Sequence, residues 1–311
     1  RVGKYRAIRL IDVDSKIPNL ALMKLSAWHK RQGDDVGFDI TSRASRDLDL
    51  VYASSVFARS RFLRRMFERI YPQGVFGGTG WSLDNKLPDE VEAMRPDYDL
   101  YGIDYAMGFT SRGCIRRCSY CVVPQKEGEI RPVAEIAQFL NPRSHRVVLL
   151  DNNFLASPAW RERIAEIKCL GLKVDFNQGL DIRLLDDEAA HALVGINPPY
   201  LRFSWDDIGL EVVVRRGIEI LRKAGYPIRR QRLGFYVLVG FDSNHEEDLY
   251  RCNMLHGLNI NTHVQVYEGA NKLTRHLARW GNRPQIWRQA SFAEYREAMG
   301  EVRQANLFPE K

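Results

Sequence analysis

From residue 106 onward the chain repeats one beat: a short apolar run, a helical stretch, then another apolar run. The runs are AMGFTS, RVVLLD, KVDFNQ, LRFSWD, LGFYVLVG and NTHVQVYE. They are strand-length apolar runs, and the alternation of strand and helix keeps a regular beat. The intervening segments carry helix signals. Ser157 and Pro158 open one that Gly171 closes, and EVVVRRGIEILRKAG runs as another to Gly225. Strands joined through helices pair in parallel with right-handed crossovers. Six such units imply a partial (β/α)6 TIM-like barrel over residues 101–270, with its chemistry at the C-terminal ends of the strands.

The same beat, shortened, opens the chain. RAIRLIDVD, DLVYASSVF and GVFGGTGW read as strands. LALMKLSAWHKRQG reads as a helix, preceded by Pro18 and an Asn19 cap and closed by Gly33. A second helix, capped by Ser60, sets Phe62, Leu63, Met66, Phe67 and Ile70 on one apolar stripe, with Arg61, Arg64, Arg65 and Glu68 outside it. A small Rossmann-like parallel α/β domain is therefore expected over residues 1–100, ending in the Pro-, Asp- and Tyr-rich LPDEVEAMRPDYDLYGIDYA. Residues 271–311 read as a C-terminal helical tail that includes SFAEYREAMGEVRQ. The fold class expected is α/β throughout.

No apolar run approaches a membrane span, and no charged-then-apolar signal opens the chain, so a cytoplasmic protein without a membrane partner is expected. The net charge of +7 permits a polyanionic partner. Five cysteines, three of them clustered, favour metal binding or catalysis over a disulfide framework.

The cluster is GFTSRGCIRRCSYCVVP, where Cys114, Cys118 and Cys121 stand in C-x3-C-x2-C spacing directly after the first barrel strand. Thiolates this close can wrap one soft metal centre. Structural zinc takes four ligands, whereas Cys169 and Cys252 are isolated, and His145 is a lone candidate farther along. Three thiolates suit a four-iron cluster that leaves one iron open to a ligand from outside. Zinc and chance clustering of ordinary cysteines are the competing readings.

With this spacing, TSRGCIRRCSYC resembles the radical S-adenosylmethionine (SAM) superfamily. Within it, the chain looks most like members with an N-terminal cobalamin-binding-type domain and like the tRNA methylthiotransferases. The resemblance implies a 4Fe–4S cluster on Cys114, Cys118 and Cys121, and SAM on the open iron. One electron, from a donor such as flavodoxin or ferredoxin, then cleaves SAM to methionine and a 5′-deoxyadenosyl radical that abstracts hydrogen from a substrate. It also implies SAM contacts from Asp151, Asn152 and Asn153 in LLDNNF, where the family usually has glycines. Ser204 and Asp206 in FSWDD would serve the ribose or methionine end, and Tyr120, Gly240 and Phe241 the adenine.

Gln178, Asp181 and Arg183 in FNQGLDIRLL form a further polar cluster; Arg183 suits either a carboxylate ligand or an ion pair with Asp181. His263, Gln265 and Tyr267 alternate on one face of the last strand. Tyr267 is a candidate contact, and His263 reads as barrel filling.

The first domain lacks the D-x-H-x-x-G motif that ligates cobalt; His29 lies in AWHKRQG and reads as a surface helix residue, so cobalamin is not expected. GGTG has no following Lys-Ser or Lys-Thr and is no P-loop. Residues 1–113 contain no cysteine, which disfavours the second cluster that sulfur insertion needs. The domain reads as a scaffold that closes the barrel or contacts substrate. RKAGYPIRRQR and NKLTRHLARWGNRPQIWRQ interleave basic and aromatic residues, which suits either a nucleic acid or ordinary helix surface. The expectation is a radical SAM enzyme acting on an unidentified substrate, with a nucleic acid or its precursor as a candidate. The alternatives are a cobalamin-assisted radical SAM methyltransferase and a non-catalytic, metal-bearing nucleic-acid binding module.

Overall fold

Parallel sheets with covering helices organise most of the described residues, a mixed α/β fold. The computed structural model describes residues 6–39, 48–269 and 271–300. The first sheet pairs β1 (Ala7–Asp12), β2 (Asp35–Asp39), β3 (Leu50–Ser54) and β4 (Val75–Gly77), all parallel, in the order β2–β1–β3–β4. β2 was not anticipated. DVGFD gives an edge strand only two apolar residues, and its flanking Asp and Gly read as a turn.

α1 (Leu20–Arg31) starts where the Asn19 side chain accepts from Leu22 N. It serves two cores. Leu22 and Leu25 pack with Ile8 and Leu10, while Leu20 and Met23 join the large core that contains Tyr98, Ala106 and Met107. The N-terminal sheet is thereby packed onto the rest of the chain. His29 is a correction: it is fully buried, with Nδ1 2.6 Å from Asp34 Oδ2 and Nε2 3.1 Å from Tyr52 Oη. α2 (Arg61–Ile70) is another. It buries only Phe67, leaves Phe62 80 % exposed, and receives no capping bond from the Ser60 side chain. A short α3 (Asp89–Glu92) follows.

The second sheet orders β5 (Ala106–Gly108), β8 (Arg146–Leu149) and β9 (Lys173–Phe176) as β5–β8–β9. The third orders β10 (Leu201–Ser204), β11 (Leu233–Val239) and β12 (Asn261–Val266) as β10–β11–β12. Both are parallel, and a parallel bridge between Leu180 and Phe203 joins them; Leu180 N donates to Arg202 O at 2.8 Å. After β5, a two-stranded antiparallel ribbon of β6 (Ser111–Arg112) and β7 (Arg131–Pro132) encloses the cysteine segment and α4 (Val123–Lys126).

α5 (Trp160–Cys169) follows β8, α6 (Asp187–Gly195) follows β9, α7 (Glu211–Lys223) follows β10 and α8 (His245–Gly257) follows β11. α5 begins later than Ser157 and Pro158 suggest; the Ser157 hydroxyl accepts from Ala159 N instead of capping the helix itself. After β12 come α9 (Lys272–Gly281), α10 (Pro284–Trp287) and α11 (Phe292–Ala298). Leu277, Trp280 and Phe292 bury into the main core, so this region is packed structure through residue 300. The expected tail beyond that point lies outside the described residues. Among the described residues, no helix is long and apolar enough to cross a membrane.

Alternation sorts the third sheet into two faces. Leu201, Phe203, Phe235, Val237 and Val264 are buried, while Arg202, Ser204, Tyr236 and His263 on the other face are partly open.

Candidate functional site

Loops at the C-terminal ends of β5, β8, β9 and β10 meet in one cleft of ≈ 2480 Å³, whose opposite wall comes from the N-terminal sheet. The cysteine segment enters it through a tight turn. Gly113 has φ +84°, and a Cβ there would lie 2.2 Å from Glu129 O, so only glycine fits without strain. Gly113 N donates to Asn152 Oδ1 at 3.0 Å, and Cys114 N donates to Gly128 O at 3.3 Å. Cys118 and Cys121 share a turn through Cys121 N and Cys118 O at 3.0 Å.

All three thiols are half-buried and line the cleft. Cys114 Sγ accepts from Arg116 N at 3.3 Å and from Asn153 Nδ2 at 3.5 Å. Burial pushes the Cys121 thiol up, with the neighbouring Cys118 and Cys114 sulfurs and Asp206 adding to the rise. Among the described residues, no three His, Cys, Asp or Glu side chains are drawn together tightly enough to hold a metal ion. The donor chemistry nevertheless fits a soft metal cluster: three thiols on one loop, one already receiving two N–H donors of the kind that stabilise thiolate sulfur.

Around this loop the structure gathers Tyr120, Asn152, Asn153, Gln178, Arg183, Ser204 and Asp206 as lining residues. Asp181, also on the wall, ties them together. Its carboxylate accepts from Arg116 Nε at 2.9 Å, Arg183 Nε at 2.6 Å, Arg183 Nη2 at 3.1 Å and Asn153 Nδ2 at 3.3 Å. Burial opposes its ionisation, but the two guanidiniums prevail and hold it below the usual carboxylate range. Arg183 is thus the ion-pair partner of Asp181. Asn153 Oδ1 is buried without a hydrogen-bond partner on the cleft wall.

Two of the expected residues have anchoring partners within the protein. Asp151 is buried beneath the cleft, where its carboxylate accepts from Thr110 N and Oγ1 and from Ser111 N and Oγ. Four donors from the segment just before the cysteines saturate it, so it anchors that segment. The Asn152 amide oxygen accepts from Gly113 N, while the residue stays on the cleft wall.

Ser204 and Asp206 share a face opposite the fully buried Phe203 and Trp205, as the alternation requires. Asp206 Oδ1 accepts from Leu238 N at 2.8 Å and Oδ2 from Tyr120 Oη at 2.9 Å. Burial raises the Asp206 carboxyl, and burial beside Asp206 and Cys118 raises the Tyr120 phenol. Tyr120 thereby ties the cysteine turn to the end of β10. Its ring meets Phe241 edge-on at 5.5 Å, and Phe241 meets Tyr267 at 4.7 Å. Phe241 and Tyr267 extend this aromatic group from Tyr120, and neither they nor the adjoining Gly240 line the cleft.

A supporting network escaped the sequence reading. Arg251 is fully buried and bonds Asp248 Oδ1 at 2.6 Å, Trp205 O at 2.7 Å and Leu238 O at 2.9 Å; Asp248 Oδ2 accepts from Gly240 N at 3.1 Å. It clamps the ends of β10 and β11, which carry Asp206 and Phe241. A second network, Lys24–Glu92–Arg112–Glu127, joins α1 and α3 to the cysteine segment with contacts of 2.8, 2.9 and 3.0 Å.

The basic-aromatic segments behave as packed structure. Tyr226 is buried at the approach to β11, the strand end opposite the cysteines; Trp280 is buried, and Trp287 stacks on His256 at 4.0 Å. Compared with models of known protein families and with curated proteins, the chain matches none.

Proposed function

We propose that this chain is a radical SAM enzyme. In this reading, the two three-stranded sheets joined at Leu180 and Phe203 are one six-stranded partial TIM-like barrel, with the N-terminal sheet as a Rossmann-like wall. The observation that carries it is the meeting of Cys114, Cys118 and Cys121 with Asn153 and Asp181 in one cleft at the C-terminal strand ends. Cys169 is exposed at the end of α5 and Cys252 is buried under β11 and β12, so neither stands with the other three.

When bound, the 4Fe–4S cluster supplies an open iron and one electron, which cleaves SAM to methionine and a 5′-deoxyadenosyl radical. The chain's residues hold and orient. Three thiolates anchor the cluster, with Arg116 N and Asn153 Nδ2 donating to the first of them. Asn153 Oδ1 offers a buried acceptor for an ammonium. Asp181 fixes the guanidiniums of Arg116 and Arg183 beside the loop, leaving Arg183 Nη1 free to meet a carboxylate. Tyr120, held by Asp206, offers its ring on the cleft wall, braced by Phe241 and through it by Tyr267. The substrate that loses hydrogen enters from the cleft between sheet and barrel. A one-electron donor of the flavodoxin or ferredoxin class and a cytoplasmic setting complete the proposal.

Anaerobic reconstitution with iron and sulfide tests it. The expected product carries about four irons per chain, shows a reduced-state electron paramagnetic resonance signal that SAM alters, and loses both in Cys118→Ala. Stoichiometric zinc binding with no iron uptake would sink the assignment.

A further inference from the structure

The N-terminal sheet carries a feature that the proposed chemistry does not use. Between residues 59 and 69 the chain places five arginines, Arg59, Arg61, Arg64, Arg65 and Arg69, against a single glutamate. Glu68 is already engaged, accepting from Trp81 Nε1 at 2.8 Å. Among the described residues, none of the five arginines takes part in a salt bridge. Arg64 donates to Ala58 O, and Arg59 lies 4.5 Å over the Phe57 ring. Elsewhere in this chain buried or half-buried arginines find carboxylates, as Arg112, Arg116 and Arg251 do.

The apolar residues here are equally unspent. Phe62 is 80 % exposed on α2, and Val56 and Val75 are exposed as well. Phe57, Val56 and Val75 also line the large cleft, and Lys16 reaches to 5.7 Å over Phe57 from the cleft wall. Phe57, with Arg59 and Lys16 over its ring, thus stands on the cleft wall just before the arginine-rich α2.

We infer that α2 and the Phe57 turn form a docking surface, reaching the cleft at Phe57, for a single-stranded nucleic acid. Guanidiniums without carboxylate partners are free to take phosphates in their fork geometry. Exposed Phe62 offers a face on which an unpaired base stacks, and Arg59 and Lys16 over Phe57 offer further cations to the backbone. A duplex hides those base faces. A bilayer would cover the outer face of α2 but could not follow Phe57 and Lys16 into a concave wall. As a substrate class, the strand rests on the proposed radical chemistry; as a binding surface, it stands apart from it.

The test is fluorescence anisotropy on the full chain, with a labelled oligouridine of about twenty nucleotides at about 50 mM salt. A matched oligothymidine, a duplex and anionic phosphatidylglycerol vesicles form the other arms. Wild type binds the single strands, RNA or DNA, in preference to duplex and vesicles. Arg61→Glu/Arg65→Glu/Arg69→Glu weakens binding about 100-fold and lowers the magnitude of the slope of log affinity against log salt by about 2. Phe62→Ala weakens it about tenfold, while Arg222→Glu/Arg279→Glu on other helices leaves it within twofold. If the triple variant unfolds, Phe62→Ala, a surface change, decides. No single-strand binding, preference for duplex or vesicles, or an unchanged Phe62→Ala variant overturns the inference. Binding without 5′-deoxyadenosine formation would refute only the radical chemistry, and radical formation without binding would refute only the docking surface.

Discussion

Replacing Arg251 by methionine tests how the cleft is held in shape. Arg251 and Asp248 form an ion pair with side chains 0 % and 2 % exposed, and Arg251 also satisfies the carbonyls of Trp205 and Leu238. Methionine fills much of the same volume but donates nothing. The Asp248 carboxylate would keep Gly240 N and Ser243 Oγ as donors and lose its counter-charge. Breaking a buried pair from one side costs about 3–5 kcal/mol, a large share of the roughly 5–15 kcal/mol that stabilises a typical domain. Urea unfolding followed by tryptophan fluorescence should show the midpoint falling with little change in slope. Replacing both partners with apolar residues removes the stranded charge, so Asp248→Leu/Arg251→Met should recover part of the loss. Because the pair clamps the β10 and β11 ends, the single variant should, on the proposed function, also weaken SAM binding through Asp206, which lines the cleft. A stability within 1 kcal/mol of wild type, measured on a sample with native fluorescence, would refute the reasoning.

Other consequences are equally direct. Asp151→Ala strands the Thr110 and Ser111 donors and should cost about 3–5 kcal/mol, with iron incorporation reduced; Asp151→Asn, which keeps an acceptor, should lose less, as thermal melts and iron assay would show. Gly113→Ala forces a left-handed backbone and a collision with Glu129 O, so the three cysteines should become more reactive to a thiol reagent and iron uptake should fall. Burial depresses His256 to about 3 and His263 to about 4. Groups depressed in the folded state favour folding above their unfolded value and lose that contribution as pH falls. Stability should therefore be level above pH ~7 and decline between pH ~6.5 and ~4 by about 1.4 kcal/mol per unit per histidine; His256→Gln/His263→Gln should flatten that limb in pH-dependent urea titrations.

Strands with dense β-branched or aromatic composition were legible because a long, mostly buried strand leaves a compositional mark, as in LGFYVLVG. β2 was not, since an edge strand with Val36 and Phe38 alone leaves a weak one. The stripe on α2 was visible, but periodicity says which residues share a face and not whether anything covers it; Phe62 is exposed and Phe67 buried from the same stripe. At the site, the cysteine spacing and the β10 alternation could be read because both are local. Asp151, Arg251 and His29 could not, because their roles depend on partners. Asp151 reaches back 41 residues to Thr110, Arg251 reaches the carbonyl of Trp205 46 residues away, and His29 meets Tyr52 across the sheet. Charged or polar residues at such positions look like solvated helix or turn chemistry until the fold buries them.

The most direct test of the central claim is product identity. Reconstituted, chemically reduced protein incubated anaerobically with SAM should release 5′-deoxyadenosine, identified by mass spectrometry, and Cys118→Ala should release none. S-adenosylhomocysteine as the sole product, or no SAM-derived nucleoside from a verified four-iron protein supplied with the single strands it binds, would contradict radical generation at the Cys114–Cys118–Cys121 loop.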